Sequence, residues 1–157
     1  MIKVAILYDS FVPVVDALKA KLTDCCTVDC FNSLNFEQSN YKLIISLKKE
    51  CCGFNVLKSH HSLLPAFDCI DPEKEAFLAG VKVTGITVFF TSPHKIIAQY
   101  PIFIQNDMHY DDLEKELEYI EQILLPEIAI KVIKNEAIDI QKIMNNKSCG
   151  GCKGCQK

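Results

Sequence analysis

The sequence predicts one α/β domain in three layers, built around a mostly parallel central sheet and followed by a cysteine-rich tail. Two short apolar runs, IKVAILY at the N-terminus and YKLIISL from Tyr41, look like strands that need cover on both faces. Between them lies a stretch with helical spacing, so strand and helix alternate as in parallel βα units. At 157 residues with an apolar fraction of 49%, the chain can bury one real core.

Taken in order, IKVAILY is the first strand and ends at Asp9-Ser10. A helix is expected from Pro13, a residue suited to a first helical turn, with Val14, Val15, Leu18 and Leu22 on its buried face. CTVDCF alternates like a second strand, and YKLIISL is a third. The segment SHHSLLPAF reads as an irregular loop that Pro65 ends. Asp71-Pro72-Glu73 then starts a helix, and Gly80 stops it. VKVTGITVFF and KIIAQYPIFI are two strands joined by the short connection Thr91-Ser92-Pro93-His94, a hairpin. The longest helical stretch, from Asp111 to Asn135, carries Leu113, Leu117, Ile120 and Leu124 on one face. Pro126 is expected to kink or break it. No internal repeat is found.

Composition narrows the function. No apolar run approaches the ~20 residues of a membrane helix, and the N-terminus enters a strand pattern rather than a signal peptide. A cytoplasmic protein without a membrane partner is therefore expected. All 17 basic residues are lysines. Without arginine, a tight phosphate site must rest on lysines and backbone N–H groups. Six lysines fall in the last 27 residues against Glu136 and Asp139, which leaves the rest of the chain acidic and argues against a nucleic-acid partner.

Nine cysteines occur, in the groups Cys25, Cys26 and Cys30, Cys51 and Cys52, Cys69, and Cys149, Cys152 and Cys155. Those at 51, 52 and 69 read as small core residues more readily than as ligands. Residues 1–144 form the expected domain and 145–157 a flexible tail, NNKSCGGCKGCQK. Cys149, Cys152 and Cys155 in that tail are candidate ligands for a soft metal ion or an iron–sulfur cluster, because Cys-x-x-Cys-x-x-Cys lets three thiolates converge. The glycines between them free the backbone, and Lys147 and Lys153 favour thiolates. A fourth ligand would come from a body cysteine, a histidine, a second copy of the chain or an exogenous thiol.

From His60 to about Lys134 the order of motifs resembles the catalytic half of the folate-dependent formyltransferases, of the glycinamide ribonucleotide formyltransferase type. The matching pieces are Ser62-Leu63-Leu64-Pro65, Ala79-Gly80-Val81, Thr84-Gly85-Ile86-Thr87-Val88, Ile96-Ile97-Ala98-Gln99 and Leu125-Pro126-Glu127. The resemblance implies a formyltransferase-like, Rossmann-like fold with His60 in a loop beyond a strand end. It also implies 10-formyltetrahydrofolate as cofactor and a small-molecule amine as substrate. The family's catalytic trio is an asparagine, a histidine two residues on, and an aspartate in an acidic loop. His60 falls at the histidine and Lys58 at the asparagine, while the aspartate falls near Ser92. His61 replaces the family's proline and Phe89 a family histidine. YDSFVP stands where the family has a glycine-rich phosphate turn, and about one strand–helix unit of the N-terminal half is missing.

His60 and Lys58 are thus the candidate catalytic residues, as donors to the tetrahedral oxyanion of formyl transfer. No carboxylate lies near Ser92 in the sequence, so His60 is expected to lack its partner. Lys58 as a plain solvated side chain, and the two histidines as groups satisfying loop backbone, are the bland alternatives. Activity on the ribonucleotide is expected to be absent or very low. Two other readings stay open: a non-catalytic descendant that binds metal or a partner through the tail, and a thiol redox protein.

Overall fold

The computed structural model describes residues 1–10, 12–48 and 50–148. Among them the strands are β1 (Lys3–Leu7), β2 (Thr27–Phe31), β3 (Leu43–Ser46), β4 (Val56–His60), β5 (Val83–Thr91) and β6 (His94–Phe103). The helices are α1 (Pro13–Leu22), α2 (Pro72–Leu78), α3 (Tyr110–Lys134) and α4 (Ile140–Ser148). The strands form one sheet in the order β2-β1-β3-β4-β5-β6. β1 to β4 run parallel, and β5 and β6 are antiparallel additions.

Strand periodicity divides the core between the two faces. Val4 and Ile6 of β1, Leu43 and Ile45 of β3, and Leu57 of β4 face the helices, where they meet Val15, Leu18 and Leu22 of α1 and Leu113, Leu117 and Leu124 of α3. Ala5, Leu7, Ile44 and Val56 point the other way, onto Cys51, Phe31, Phe36 and Tyr41. This second cover is thin: the segment 32–42 with a single 3₁₀ turn, Gln38–Asn40. Aromatic packing stiffens it. Phe31 and Phe36 stack at 4.2 Å between ring centroids, and the Tyr41 hydroxyl donates to Asp29 at 2.9 Å.

Most helix boundaries follow local chemistry. Pro13 and Pro72 occupy the first turns of α1 and α2, and Gly80 takes φ 69° just past the end of α2. Asn135 ends α3 in the left-handed region at φ 56°. Of the two outcomes expected at Pro126, kink or break, the break is excluded, because α3 runs through it to Lys134. Proline removes one helical N–H. The buried neighbours Leu124, Leu125, Ile128 and Ala129 hold the helix through packing, and Glu127 is tied to Lys21 of α1 at 2.7 Å.

One further reading changes. His60 is the last residue of β4, paired with Thr87 of β5, rather than part of a loop beyond the strand. α4 runs to Ser148, with Ile143 in the core. No helix among the described residues is long and apolar enough to cross a membrane.

Candidate active site

β1 pairs with β2 on one side and β3 on the other, so the loops leaving the C-terminal ends of β1 and β3 diverge. In open α/β sheets such a point opens a crevice for ligands. Here the crevice is a cleft of about 530 Å³. Val12 and Pro13 follow β1 into it, and Ser46 to Lys48 follow β3. Lys58 to His61 enter from the end of β4, the 68–73 segment forms a rim, and Glu118, Glu121 and Gln122 close it from α3. A Lys48–Asp9 ion pair of 2.6 Å ties the two diverging loops together.

Alternation along β4 sorts its side chains. Leu57 and Ser59 face α3, whereas Val56, Lys58 and His60 face the opposite side. The two candidate catalytic residues thus share one face at the strand end, and both line the cleft. Lys58 is half-buried, and burial lowers its pKa below the usual lysine value, although the Cys52 and Cys51 thiols pull the other way. His60 donates from Nε2 to the Phe67 carbonyl at 3.0 Å, where Phe67 adopts φ 53°. In the neutral ring this bond leaves the lone pair on Nδ1. A neutral His60, which lines the cleft, therefore has an acceptor at Nδ1, and it can be the expected donor only when protonated.

The segment after His60 is held by the residues that made the sequence recognisable. The buried Thr87 hydroxyl donates to the Ser62 carbonyl at 2.7 Å and accepts from the Leu64 N–H at 3.0 Å. Gln99 donates to the Leu64 carbonyl at 2.9 Å and to Thr87 at 3.0 Å. Ser62 donates to the Ala66 carbonyl at 2.7 Å. Gly85 is required by close approach, since a Cβ there would lie 2.1 Å from the Tyr100 carbonyl oxygen and 2.8 Å from Leu63. These motif residues fix the loop that positions His60.

Ser92 sits in the β5–β6 turn, bridged to Phe54, and is not among the residues lining the cleft. A carboxylate comes instead from α3. Glu121 is held through both oxygens: Oε2 lies 3.2 Å from Nε2 of His61, and Oε1 accepts from the Ser59 hydroxyl. Burial works against charge on both partners. At His61 burial is the largest influence, yet the Glu121 bond and charge, with Glu73 and Glu118 behind, outweigh it and raise its pKa above 6.5. At Glu121 burial again comes first, and His61 and Ser59 overcome it and lower its pKa below 4.5. Sequence reasoning missed this pair. The available signal was helical position, because Glu121 lies one turn from Leu117 and from Leu124 and Leu125, all fully buried.

The cysteines divide. Cys51 is buried as expected, but Cys52 and Cys69 are exposed, Cys69 on the cleft rim, so the core reading of those two is corrected. Among the described residues no group of three or more His, Cys, Asp or Glu is arranged to hold a metal ion. The candidate ligands Cys149, Cys152 and Cys155 lie outside the described residues.

The family model for formyl transferase matches residues 40–129, more than half of the chain and all of β4 through most of α3. This chain belongs to the formyl transferase family. It is 37% identical over 93 residues to phosphoribosylglycinamide formyltransferase of Bacillus subtilis (strain 168), covering 55% of this chain and 47% of that protein. Over 56 residues it is 39% identical to formyltetrahydrofolate deformylase of Haemophilus influenzae, covering 36% of this chain and 19% of that protein. The chain thus spans about half the length, or less, of these curated relatives. Among solved structures, phosphoribosylglycinamide formyltransferase from Bacillus halodurans superposes with a TM-score of 0.66 at 17% identity, over 79% of this chain and 91% of that one. The Streptococcus pneumoniae TIGR4 enzyme of the same name gives 0.68 at 14% identity, over 85% and 99%. These structures share the formyltransferase fold.

Proposed function

We propose that this chain transfers a formyl group from 10-formyltetrahydrofolate to a small amine, at the cleft beyond β4. The supporting observation is the placement of Lys58 and His60 on one face of the β4 end, opening into the crevice where the sheet order reverses. Amine attack on the formyl carbon creates a tetrahedral oxyanion. Lys58 offers an ammonium to that oxygen, and its burial makes the charge count for more than it would in water. His60 offers its Nδ1 lone pair to an N–H of the incoming amine and orients it for attack. The amine is unlike the ribonucleotide of the named relatives, because YDSFVP lacks a glycine turn and the chain has no arginine.

The test is formylation of a panel of small primary amines by the full chain with 10-formyltetrahydrofolate, followed by mass spectrometry. Lys58→Met should lose about 10²–10³ in kcat, the loss seen when one oxyanion contact is removed, and His60→Ala about 10²-fold, the cost of misplacing the attacking amine. Turnover unaffected by either change would place the chemistry elsewhere.

A further inference from the structure

We infer that His61, held by Glu121, is the acid–base group of this cleft, taking the proton from the attacking amine and returning it to the departing folate nitrogen. This role rests on the formyl transfer proposed above. The geometry is that of an oriented base. Glu121 on α3 is fixed through both oxygens, by the Ser59 hydroxyl of β4 and by Nε2 of His61 at 3.2 Å, so the imidazole is tied to a carboxylate that bridges two rigid elements. With Nε2–H directed at Glu121, the neutral ring carries its lone pair on Nδ1. A carboxylate that fixes tautomer and ring orientation is the arrangement by which a histidine becomes an effective general base. Both residues line the cleft beside Lys58 and His60, and their side chains are 21% and 13% exposed. His61 is thus open enough to meet a substrate and buried enough to feel its partner strongly.

The step balances without a further reactant. The amine nitrogen bonds to the formyl carbon as its proton passes to Nδ1 of His61. The bond from that carbon to the folate nitrogen then breaks, and the same proton moves to the leaving nitrogen. Formamide and tetrahydrofolate result, the ring returns to its neutral state, and nothing is oxidised or reduced. Glu121 never touches the substrate and is a positioning residue.

The charged groups around His61 set its titration. Burial opposes the imidazolium, whereas Glu121 and Glu118 of α3 and Glu73 of α2 favour it; Lys48, Lys58, Asp68 and Asp71 also line the cleft. A base of this kind must be deprotonated to act, so kcat/KM rises with pH through its pKa. Removing the Glu121 charge lowers that pKa and moves the acid limb to lower pH.

The experiment uses the full chain with 10-formyltetrahydrofolate and the best amine of the panel. The pH profile of kcat/KM is recorded for wild type, Glu121→Gln and His61→Ala, with folate binding measured by fluorescence. Glu127→Gln, which removes the α1–α3 ion pair away from the cleft, is the control and should match wild type. Glu121→Gln is expected to shift the acid limb downward. His61→Ala should lose about 10²–10⁴ in kcat while its affinity for folate holds, and added imidazole should restore part of the rate. The rescue decides the matter even if Glu121→Gln does not fold. A profile unchanged by Glu121→Gln, or a His61→Ala rate that is undiminished or indifferent to imidazole, overturns the acid–base role alone. A wild type that neither binds folate nor formylates any amine overturns the proposed function, and this role with it.

Discussion

Replacing Thr87 by valine keeps the shape of a side chain that is fully buried and deletes one oxygen. That oxygen serves three partners: it donates to the Ser62 carbonyl and accepts from the Leu64 N–H and from Gln99. Gln99 retains its bond to the Leu64 carbonyl, so it is partly satisfied in the variant. The Ser62 carbonyl and the Leu64 N–H lose these bonds outright. A buried polar group left without a partner costs about 1–3 kcal/mol, so two such groups put the loss at about 2–6 kcal/mol. That is a large share of the roughly 5–15 kcal/mol holding a typical domain. Urea unfolding followed by circular dichroism measures it directly. The midpoint should fall with little change in slope, since the surface exposed on unfolding is nearly the same. The Ser62–Pro65 loop should also become a site of early proteolysis. A loss below about 0.5 kcal/mol, the range of neutral surface changes, would mean that Thr87 does not carry the loop.

Gly85→Ala should destabilise by about 1–3 kcal/mol or more, because its Cβ meets strand backbone at 2.1 Å; denaturant unfolding indistinguishable from wild type would refute that close approach. The His61–Glu121 pair predicts a pH window. The depressed Glu121 pKa gives stability that is full above 4.5 and lost as pH falls through the folded value, and the raised His61 pKa gives stability that is full below 6.5 and lost as pH rises through the folded value. The stability difference between wild type and Glu121→Gln should therefore be greatest between pH 4.5 and 6.5 and shrink on both sides; a flat difference across thermal melts would contradict the pairing. Glycinamide ribonucleotide should be a very poor acceptor in a steady-state assay, and efficient turnover would show that a phosphate site exists without the glycine turn. From their spacing, Cys149, Cys152 and Cys155 should carry zinc, copper or iron after anaerobic purification, and metal analysis should find it gone when the chain is cut before Cys149.

Much of this fold was legible because periodicity and punctuation agreed. Val14, Val15, Leu18 and Leu22 are buried along α1, and Gly80 ends α2 where the sequence placed it. The β5–β6 hairpin turns at Ser92-Pro93 within the expected connection. A break at Pro126 did not follow, because its missing N–H is a local signal, whereas continuity of α3 is decided by packing on both sides of it. The end of β4, Ser59 and His60, was read as loop together with the rest of SHHSLLPAF. Its pairing with β5 satisfies that backbone, and its polar side chains line a cleft rather than a core. The site was only half visible for the same reason. His60 and Lys58 could be placed along the chain by motif order, but Glu121 lies 60 residues from His61 in sequence and meets it only once α3 crosses the sheet. The tautomer of His60 was equally hidden, since it depends on a carbonyl seven residues away.

The measurement closest to the central claim is amine-dependent release of tetrahydrofolate from 10-formyltetrahydrofolate, comparing wild type with His60→Ala of equal thermal stability. Formyl transfer at the β4 cleft predicts a formylated amine in step with tetrahydrofolate and a loss of about 10²-fold in the variant. Equal rates in the two proteins, or no folate-dependent reaction with any amine, would contradict it.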